Sequence, residues 1–163
     1  MSTVAHVVMQ ASAVAIDGRA LLIEGPAGCG KSSLALALID RGAGLIGDDA
    51  VTLRPAGNRL IASPPPNIAG LIEVRGVGLT SLPLAPPAPV ALILILGGSV
   101  PERLPDSRLP DPPLPVRVIA GVAVPMLAFD PGTIAPGPRA EWALHLHGLV
   151  FKPASLHPGK ASQ

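Results

Sequence analysis

The apolar residues of the chain fall into short runs that are broken by glycine, proline or aspartate, a pattern typical of a strand-rich fold. In the segment 13–24, AVAIDGRALLIE, two such runs flank Asp17 and Gly18, a pair that tolerates the positive φ of a tight turn, so a β-hairpin is predicted. The segment 31–41, KSSLALALIDR, is rich in Ala and Leu and is followed by Gly42, which predicts a helix that ends there. Because this helix is apolar on nearly all sides, we expect it to pack against a sheet.

Further apolar runs predict additional strands along the rest of the chain. These lie in segments 44–55, 58–63, 70–79, 90–96 and 116–129, the last of which has room for one or two strands. The run 90–96, VALILIL, has the length and composition of a fully buried strand, and the proline-rich segment 83–89 before it is predicted to be a stiff connector. Segment 140–149 predicts a short terminal helix, whereas prolines exclude regular structure from 101–115.

Composition adds limits to this picture. The 163 residues suit one domain, and with 48% hydrophobic but 2% aromatic residues the core must be built from Ala, Val, Leu and Ile. A formal charge of +1 without a Lys/Arg cluster argues against nucleic-acid binding. The longest apolar run is too short to cross a bilayer, and the N-terminal residues have no basic region typical of a secretory signal. The single cysteine excludes an internal disulfide. We therefore expect a cytoplasmic protein that is not bound to a membrane.

Residues 25–32, GPAGCGKS, match the phosphate-binding pattern G-x-x-x-x-G-K-[ST] at every specified position. The predicted strand before them and the predicted helix after them are the context that this P-loop requires. Glycines let backbone amides converge on an anion, the lysine reaches the β- and γ-phosphates, and the serine hydroxyl joins a Mg²⁺ shell. The predicted nucleotide-binding residues are Gly25, Pro26, Ala27, Gly28, Cys29, Gly30, Lys31, Ser32 and Ser33.

Acidic residues downstream of the P-loop are candidates for the chemistry. Asp48 and Asp49 follow a short apolar strand, where one could help to hold a metal and the other could accept a proton from an attacking hydroxyl. The alternative is a turn with two solvated carboxylates. Glu73 and Arg75 are two residues apart in a predicted strand and so should share a face, either as a metal ligand and a phosphate contact or as a surface ion pair.

The order of these motifs resembles the catalytic C-terminal domain of HPr kinase/phosphorylase, in a short form without the N-terminal domain. The resemblance runs from about residue 5 to about 148 and is carried by the P-loop, by LIDRGAGLIGDD at 38–49 and by IEVRGVGL at 72–79. It implies an α/β P-loop domain of the HPr kinase and phosphoenolpyruvate carboxykinase-like type, with a mixed strand-rich sheet. It also implies a kinase that uses ATP and Mg²⁺ to phosphorylate a serine of an HPr-like phosphocarrier, that can reverse this step, and that forms hexamers.

Carried over by position, the resemblance implies roles for individual residues. Lys31 would be a catalytic phosphate contact and Asp49 the base of the kinase reaction. Glu102-Arg103 resembles a family Glu-Arg pair, which implies a catalytic arginine at Arg103. The other implied residues are the metal set Ser32, Asp48 and Glu73, and the signature residues Arg75, Gly76 and Gly78.

One position departs from the family pattern. Where the family has a histidine before the first hairpin strand, this chain has Gln10, and an amide cannot carry a proton between groups. An ATP-binding regulatory module with weak or no kinase activity is therefore an alternative, and a kinase of small molecules is a third. The predicted domain spans 1–150, followed by a flexible tail at 151–163.

Overall fold

The computed structural model describes residues 6–66, 70–98 and 114–152. These residues form eleven strands and two helices. In chain order they are β1 (Val7–Met9), β2 (Ser12–Ile16), β3 (Arg19–Glu24), α1 (Lys31–Asp40), β4 (Gly44–Gly47), β5 (Val51–Ala56), β6 (Arg59–Ser63), β7 (Leu71–Val74), β8 (Gly78–Ser81), β9 (Ala88–Ile95), β10 (Val116–Ile119), β11 (Val122–Ala128) and α2 (Pro136–His147).

Nine of these strands form one mixed sheet in the order β1-β5-β6-β9-β3-β2-β4, with β11 beside β9 and β10 beside β11. Strand β9 is parallel to both β3 and β11. Because β2 is antiparallel to β3 and to β4, strand β4 runs in the same direction as β3. The carboxyl ends of β3, β4, β9 and β11 therefore point to the same edge of the sheet, the edge at which ligands bind in such folds.

The predicted hairpin and first helix are both present. Strands β2 and β3 pair antiparallel across Asp17 and Gly18, which have φ values of 50° and 79°. Helix α1 ends at Asp40, and Gly42 follows with a φ of 110°. These outcomes confirm two predictions that depended on consecutive residues alone.

Two buried clusters lie on either side of the central strands. One contains Leu34 and Leu38 of α1, Leu144 of α2 and apolar residues of β3 and β9, so both helices cover this side of the sheet. The other contains no helix residue and includes Leu53, Leu60 and Ile93. Strand β9 contributes to both clusters, which confirms a buried strand in the run 90–96, where Ile95 alone is half-buried.

The structure corrects three sequence-based predictions. Segment 44–55 contains two strands, because the chain leaves the sheet after Gly47 and re-enters it at Val51 in a different part of the strand order. Segment 70–79 is a hairpin of β7 and β8, not one strand, and Arg75 lies in its turn. The last helix begins at Pro136 instead of residue 140, and the short edge strand β1 had not been predicted.

Some predictions fall outside the described residues. These are the arginine assignment at Arg103, the proline-rich segment up to residue 113 and the tail from residue 153 onward. Within the described ranges, neither helix has the length and apolar character needed to span a membrane.

Candidate active site

The loop of residues 25–30 connects β3 to α1 and closes tightly on itself. The Cys29 amide donates a hydrogen bond to the Pro26 carbonyl oxygen at 3.2 Å. A Cβ atom on Gly25 would lie 2.6 Å from Cys29 Sγ and 2.8 Å from the Leu96 carbonyl oxygen, so only glycine fits there. Gly30 precedes the helix in the left-handed region, with a φ of 99°. The glycines of the pattern are therefore needed for two different reasons. Gly25 lets neighbouring atoms approach closely, and Gly30 adopts a left-handed backbone conformation.

The first turn of α1 presents backbone amides to a cleft. Gly30 provides no side-chain cap, and the first intrahelical bond runs from the Leu34 amide to the Gly30 carbonyl oxygen at 2.9 Å. In the described part of the chain, the amides of residues 31–33 have no backbone acceptor. These residues line the cleft, so their N–H groups and the positive end of the helix dipole suit an anion.

The Lys31 side chain folds back over the loop. Its Nζ donates to the carbonyl oxygens of Gly25 at 2.8 Å and Pro26 at 3.2 Å. An ammonium group in this position has the reach to hold a phosphate that enters the same loop, and its present contacts are neutral carbonyl oxygens, which are weaker partners than phosphate oxygens.

Asp48 lies at the centre of a hydrogen-bond network beside this helix end. Its Oδ1 accepts hydrogen bonds from Ser32 Oγ at 2.6 Å and from Ser12 Oγ at 2.9 Å. Its Oδ2 accepts a bond from the Glu73 amide at 3.3 Å. The carboxylate thus connects β2, α1 and the β7–β8 hairpin. This arrangement brings Ser32 and Asp48 together, as the prediction of a shared site requires.

Asp49 differs from its neighbour in exposure and backbone conformation. It is exposed, lines the cleft and has a φ of 66° in the left-handed region. Its amide donates to Ser12 Oγ at 3.4 Å. The two aspartates therefore suit different roles. The Asp48 carboxylate is hydrogen-bonded within the protein, and the Asp49 carboxylate faces the open cleft.

Glu73 and Arg75 both line the cleft, but they do not share one face of a single strand as predicted. Glu73 is on β7 and Arg75 is in the turn after it, where the Val77 amide donates to the Val74 carbonyl oxygen at 2.9 Å. Gly76 and Gly78 have φ values of 76° and 142°, which explains the glycines of this segment by turn geometry. Both charged side chains are exposed.

The cleft has a volume of about 940 Å³ and includes residues that sequence reasoning had not assigned to it. Met9 comes from the unpredicted strand β1, and Glu24 is the last residue of β3. Arg117 Nη1 of β10 donates to Glu24 Oε2 at 2.5 Å, and this hydrogen bond raises the pKa of Arg117 above its ordinary value. Nothing in the local sequence signals this pair, which joins residues 93 positions apart.

Gln10 also lines the cleft and is exposed there, so the residue that departs from the family pattern is at the site. The described residues contain no cluster of three or more His, Cys, Asp or Glu side chains that would enclose a metal. A hydroxyl and one or two carboxylates suit Mg²⁺, because this ion takes few protein ligands and completes its shell with phosphate oxygens and water.

The comparisons with known proteins agree with one another. A family model described as the HPr serine kinase C-terminal domain matches residues 2–83. The solved HPr(Ser) kinase/phosphatase from Coxiella burnetii superimposes with a TM-score of 0.69 and 33% sequence identity, covering 86% of this chain and 95% of that one. The chain belongs to the HPr kinase family. The fold class predicted from the P-loop and the later motifs is thereby confirmed.

Individual HPr kinase/phosphorylases match a shorter stretch. That of Clostridium botulinum (strain Eklund 17B / Type B) is 48% identical over 66 residues, which are 40% of this chain and 22% of the relative. That of Clostridium tetani (strain Massachusetts / E88) is 44% identical over 70 residues, 43% of this chain and 23% of the relative. This HPr kinase family member thus spans about a fifth of the length of the curated relatives that it matches.

Proposed function

We propose that this domain is an ATP- and Mg²⁺-dependent kinase that phosphorylates a serine of an HPr-like phosphocarrier protein. The observation that carries the proposal is the position of Asp49 in the same cleft as the amides of residues 31–33 and Lys31. A phosphate cradle beside an open carboxylate is the arrangement that phosphoryl transfer to a hydroxyl needs. The names of the matched relatives support HPr as the acceptor.

In this proposal the residues of the loop bind and orient the nucleotide. Lys31 leaves the carbonyl oxygens of Gly25 and Pro26 and pairs with the β- and γ-phosphates, which accept stronger, charge-assisted bonds. Bound Mg²⁺·ATP supplies the transferable phosphoryl group and part of the charge that neutralises it. A Cβ atom added to Gly28 or Gly30 would have no atom within 4 Å, so a polyphosphate can approach the backbone there.

The acidic residues divide the remaining tasks. Asp49 accepts the proton of the attacking serine hydroxyl, a role worth about 10²–10⁴-fold in rate. Ser32 and Glu73 hold the metal. Asp48 contributes to the metal site by orienting the Ser32 hydroxyl, because three of its roughly four acceptor positions are already filled by Ser12, Ser32 and the Glu73 amide.

The remaining assignments are part of the same proposal. Arg75 contacts the phosphate or the protein substrate from the rim of the cleft, with Gly76 and Gly78 shaping its turn. Arg103 is proposed as a further catalytic arginine on the resemblance alone. We also propose a homo-oligomer, supported by the exposed apolar residues Val77 and Leu79 on the β7–β8 hairpin, and a cytoplasmic location shared with the phosphocarrier.

Gln10 favours a second candidate, a nucleotide-binding regulatory module with little transfer activity. Its amide lines the cleft, where the family pattern has a group that can take up and release a proton. In such a module the nucleotide-binding residues of the site would be intact. Replacement Gln10→His tests the effect of this departure: a gain of phosphate-dependent removal of the phosphoryl group from phosphoserine-HPr would show that the amide limits the reverse reaction.

The deciding experiment incubates the purified protein with Mg²⁺·ATP and the HPr-like protein encoded in the same genome, and follows the mass of intact HPr. A gain of one phosphoryl group is expected, and none on an HPr whose acceptor serine is replaced by alanine. Tight ATP binding without transfer would favour the regulatory module. Absence of both binding and transfer would contradict the site assignment.

A further inference from the structure

Ser12 is a buried polar residue at the start of β2, in a segment whose neighbours are apolar. Its exposure is 0%, and it is the one polar side chain among the fully buried residues of the described ranges. Its neighbours Ala11 and Ala13 are equally buried and belong to the cluster that contains no helix residue. A polar group in such surroundings costs free energy unless it is hydrogen-bonded, so its contacts need an explanation.

The Ser12 hydroxyl connects the two aspartates of the doublet. It donates its hydrogen to Asp48 Oδ1 at 2.9 Å, and it accepts the backbone N–H of Asp49 at 3.4 Å. A hydroxyl has one donor and two acceptor positions, so both contacts can exist together. One oxygen therefore ties the side chain of the first aspartate to the main chain of the second.

The two hydrogen bonds of the Ser12 hydroxyl stabilise the backbone conformation of Asp49 and the side-chain orientation of Asp48. The φ of 66° at Asp49 is in the left-handed region, which is sparsely populated by residues other than glycine and persists where neighbouring groups hold it. Asp48 Oδ1 accepts from Ser12 and Ser32 together, so loss of Ser12 would leave the carboxylate freer to rotate away from Ser32.

We propose that Ser12 is a positioning residue that sets the orientation of both aspartates for phosphoryl transfer, acting through Asp48 and Asp49 without touching the nucleotide. This inference rests on the proposed kinase function. Ser12 does not line the cleft, so its effect should appear in the transfer step and not in nucleotide binding.

The test compares Ser12→Ala with Thr52→Val, a matched control that removes a strand hydroxyl bonded to the Pro64 carbonyl oxygen at 3.1 Å, outside the cleft. For Ser12→Ala we expect kcat to fall on the order of 10- to 100-fold, as for a small misplacement of a catalytic group, with the KM for ATP within about twofold. Ser12→Thr, which retains the hydroxyl, should recover most of kcat. Thr52→Val should leave both constants unchanged.

A second measurement is independent of activity. Amide exchange followed by NMR in the free protein should be faster at Asp49 in Ser12→Ala, and unchanged at Leu53, whose strand pairs elsewhere. An unaltered kcat together with unaltered exchange at Asp49 would overturn the proposal. Equal losses of ATP binding, kcat and thermal stability would also overturn it, because they indicate a structural role only.

The two proposals fail in different ways. If wild-type protein transfers nothing to HPr, the kinase proposal fails, while faster exchange at Asp49 in Ser12→Ala would still support the positioning of the doublet by Ser12. If Ser12→Ala does not fold, Ser12→Cys serves in its place, because cysteine keeps a similar size but is a weak donor. Wild-type kcat in the cysteine variant would then contradict the proposal.

Discussion

The two helices begin in a similar way and yet their first turns have different chemistry. Each follows a residue in the left-handed region, Gly30 before α1 and Ala135 before α2, and neither has a side-chain cap. In α2, however, Pro136 and Pro138 have no backbone N–H, which leaves one N–H donor among its first three residues. Each of the first three residues of α1, 31–33, has a backbone N–H.

The surroundings differ as well. Space is open around Gly28 and Gly30, whereas a Cβ on Gly137 in the first turn of α2 would lie 2.9 Å from Arg41 Cδ. The start of α2 is thus packed against α1, and the start of α1 faces the cleft. The start of α1 thus combines three N–H donors, open space and the Lys31 ammonium group at one cleft, which supports the proposed anion site there and not at α2.

Replacing the cationic residue in the first turn of each helix should produce the largest difference between α1 and α2. Lys31→Ala is expected to abolish transfer and to weaken ATP binding by about 10- to 100-fold, because it removes charge-assisted contacts to phosphate. Arg139→Ala removes a cation from the first turn of α2, where it donates to the carbonyl oxygens of Pro131 and Asp130, and ATP binding should not change. Calorimetric titration with ATP measures both. Unchanged affinity and rate in Lys31→Ala would contradict the site assignment.

The next contrast concerns the carboxylates. Asp49→Asn should slow transfer by about 10²–10⁴-fold and leave ATP affinity nearly unchanged, because the amide cannot accept the proton of the serine hydroxyl. Asp40→Asn, at the exposed last residue of α1, is the control and should transfer at the wild-type rate. Single-turnover measurement with HPr separates transfer from product release. A wild-type rate in Asp49→Asn would remove this residue from the base role.

A smaller effect is expected from exchanging the residues that precede the helices. Gly30→Ala meets no atom within 4 Å, so backbone strain alone should lower the free energy of unfolding, by about 1–2 kcal/mol. Ala135→Gly relieves the strain of a φ of 44° and should raise it by about 0.5 kcal/mol after the entropy of glycine is subtracted. Urea denaturation measures both variants. If both variants changed the free energy of unfolding by the same amount and in the same direction, backbone strain before the helices would not explain the result.

The smallest effect concerns the last residue of α2. Burial lowers the pKa of His147 below its ordinary value of 6.5, so the unfolded chain binds more protons than the folded one just below that pH. Folding stability should therefore be complete above about pH 6.5 and decline as the pH falls toward the folded pKa. Denaturation at a series of pH values should show that His147→Gln removes part of this decline. His145→Gln, at an exposed position, is the control.

Short stretches of the chain were sufficient to predict the parts of the molecule that depend on neighbouring residues. The turn at Asp17-Gly18, the limits of α1 and the glycine-rich loop before it all follow from backbone preferences and spacing within about ten residues, and the structure contains each of them. The family and the fold class also followed, because the motifs occur in a specific order. These features need no knowledge of what packs against them.

Contacts between distant segments had to come from the folded molecule. The hydroxyl of Ser12 reaches Asp48 across 36 positions, and Arg117 reaches Glu24 across 93. The sequence predicts one strand over 70–79, whereas Gly76 and Gly78 adopt positive φ values and turn the chain into the β7–β8 hairpin. Strand order and register determine which polar side chains meet. They depend in turn on the burial of all the apolar residues together, which no single segment encodes.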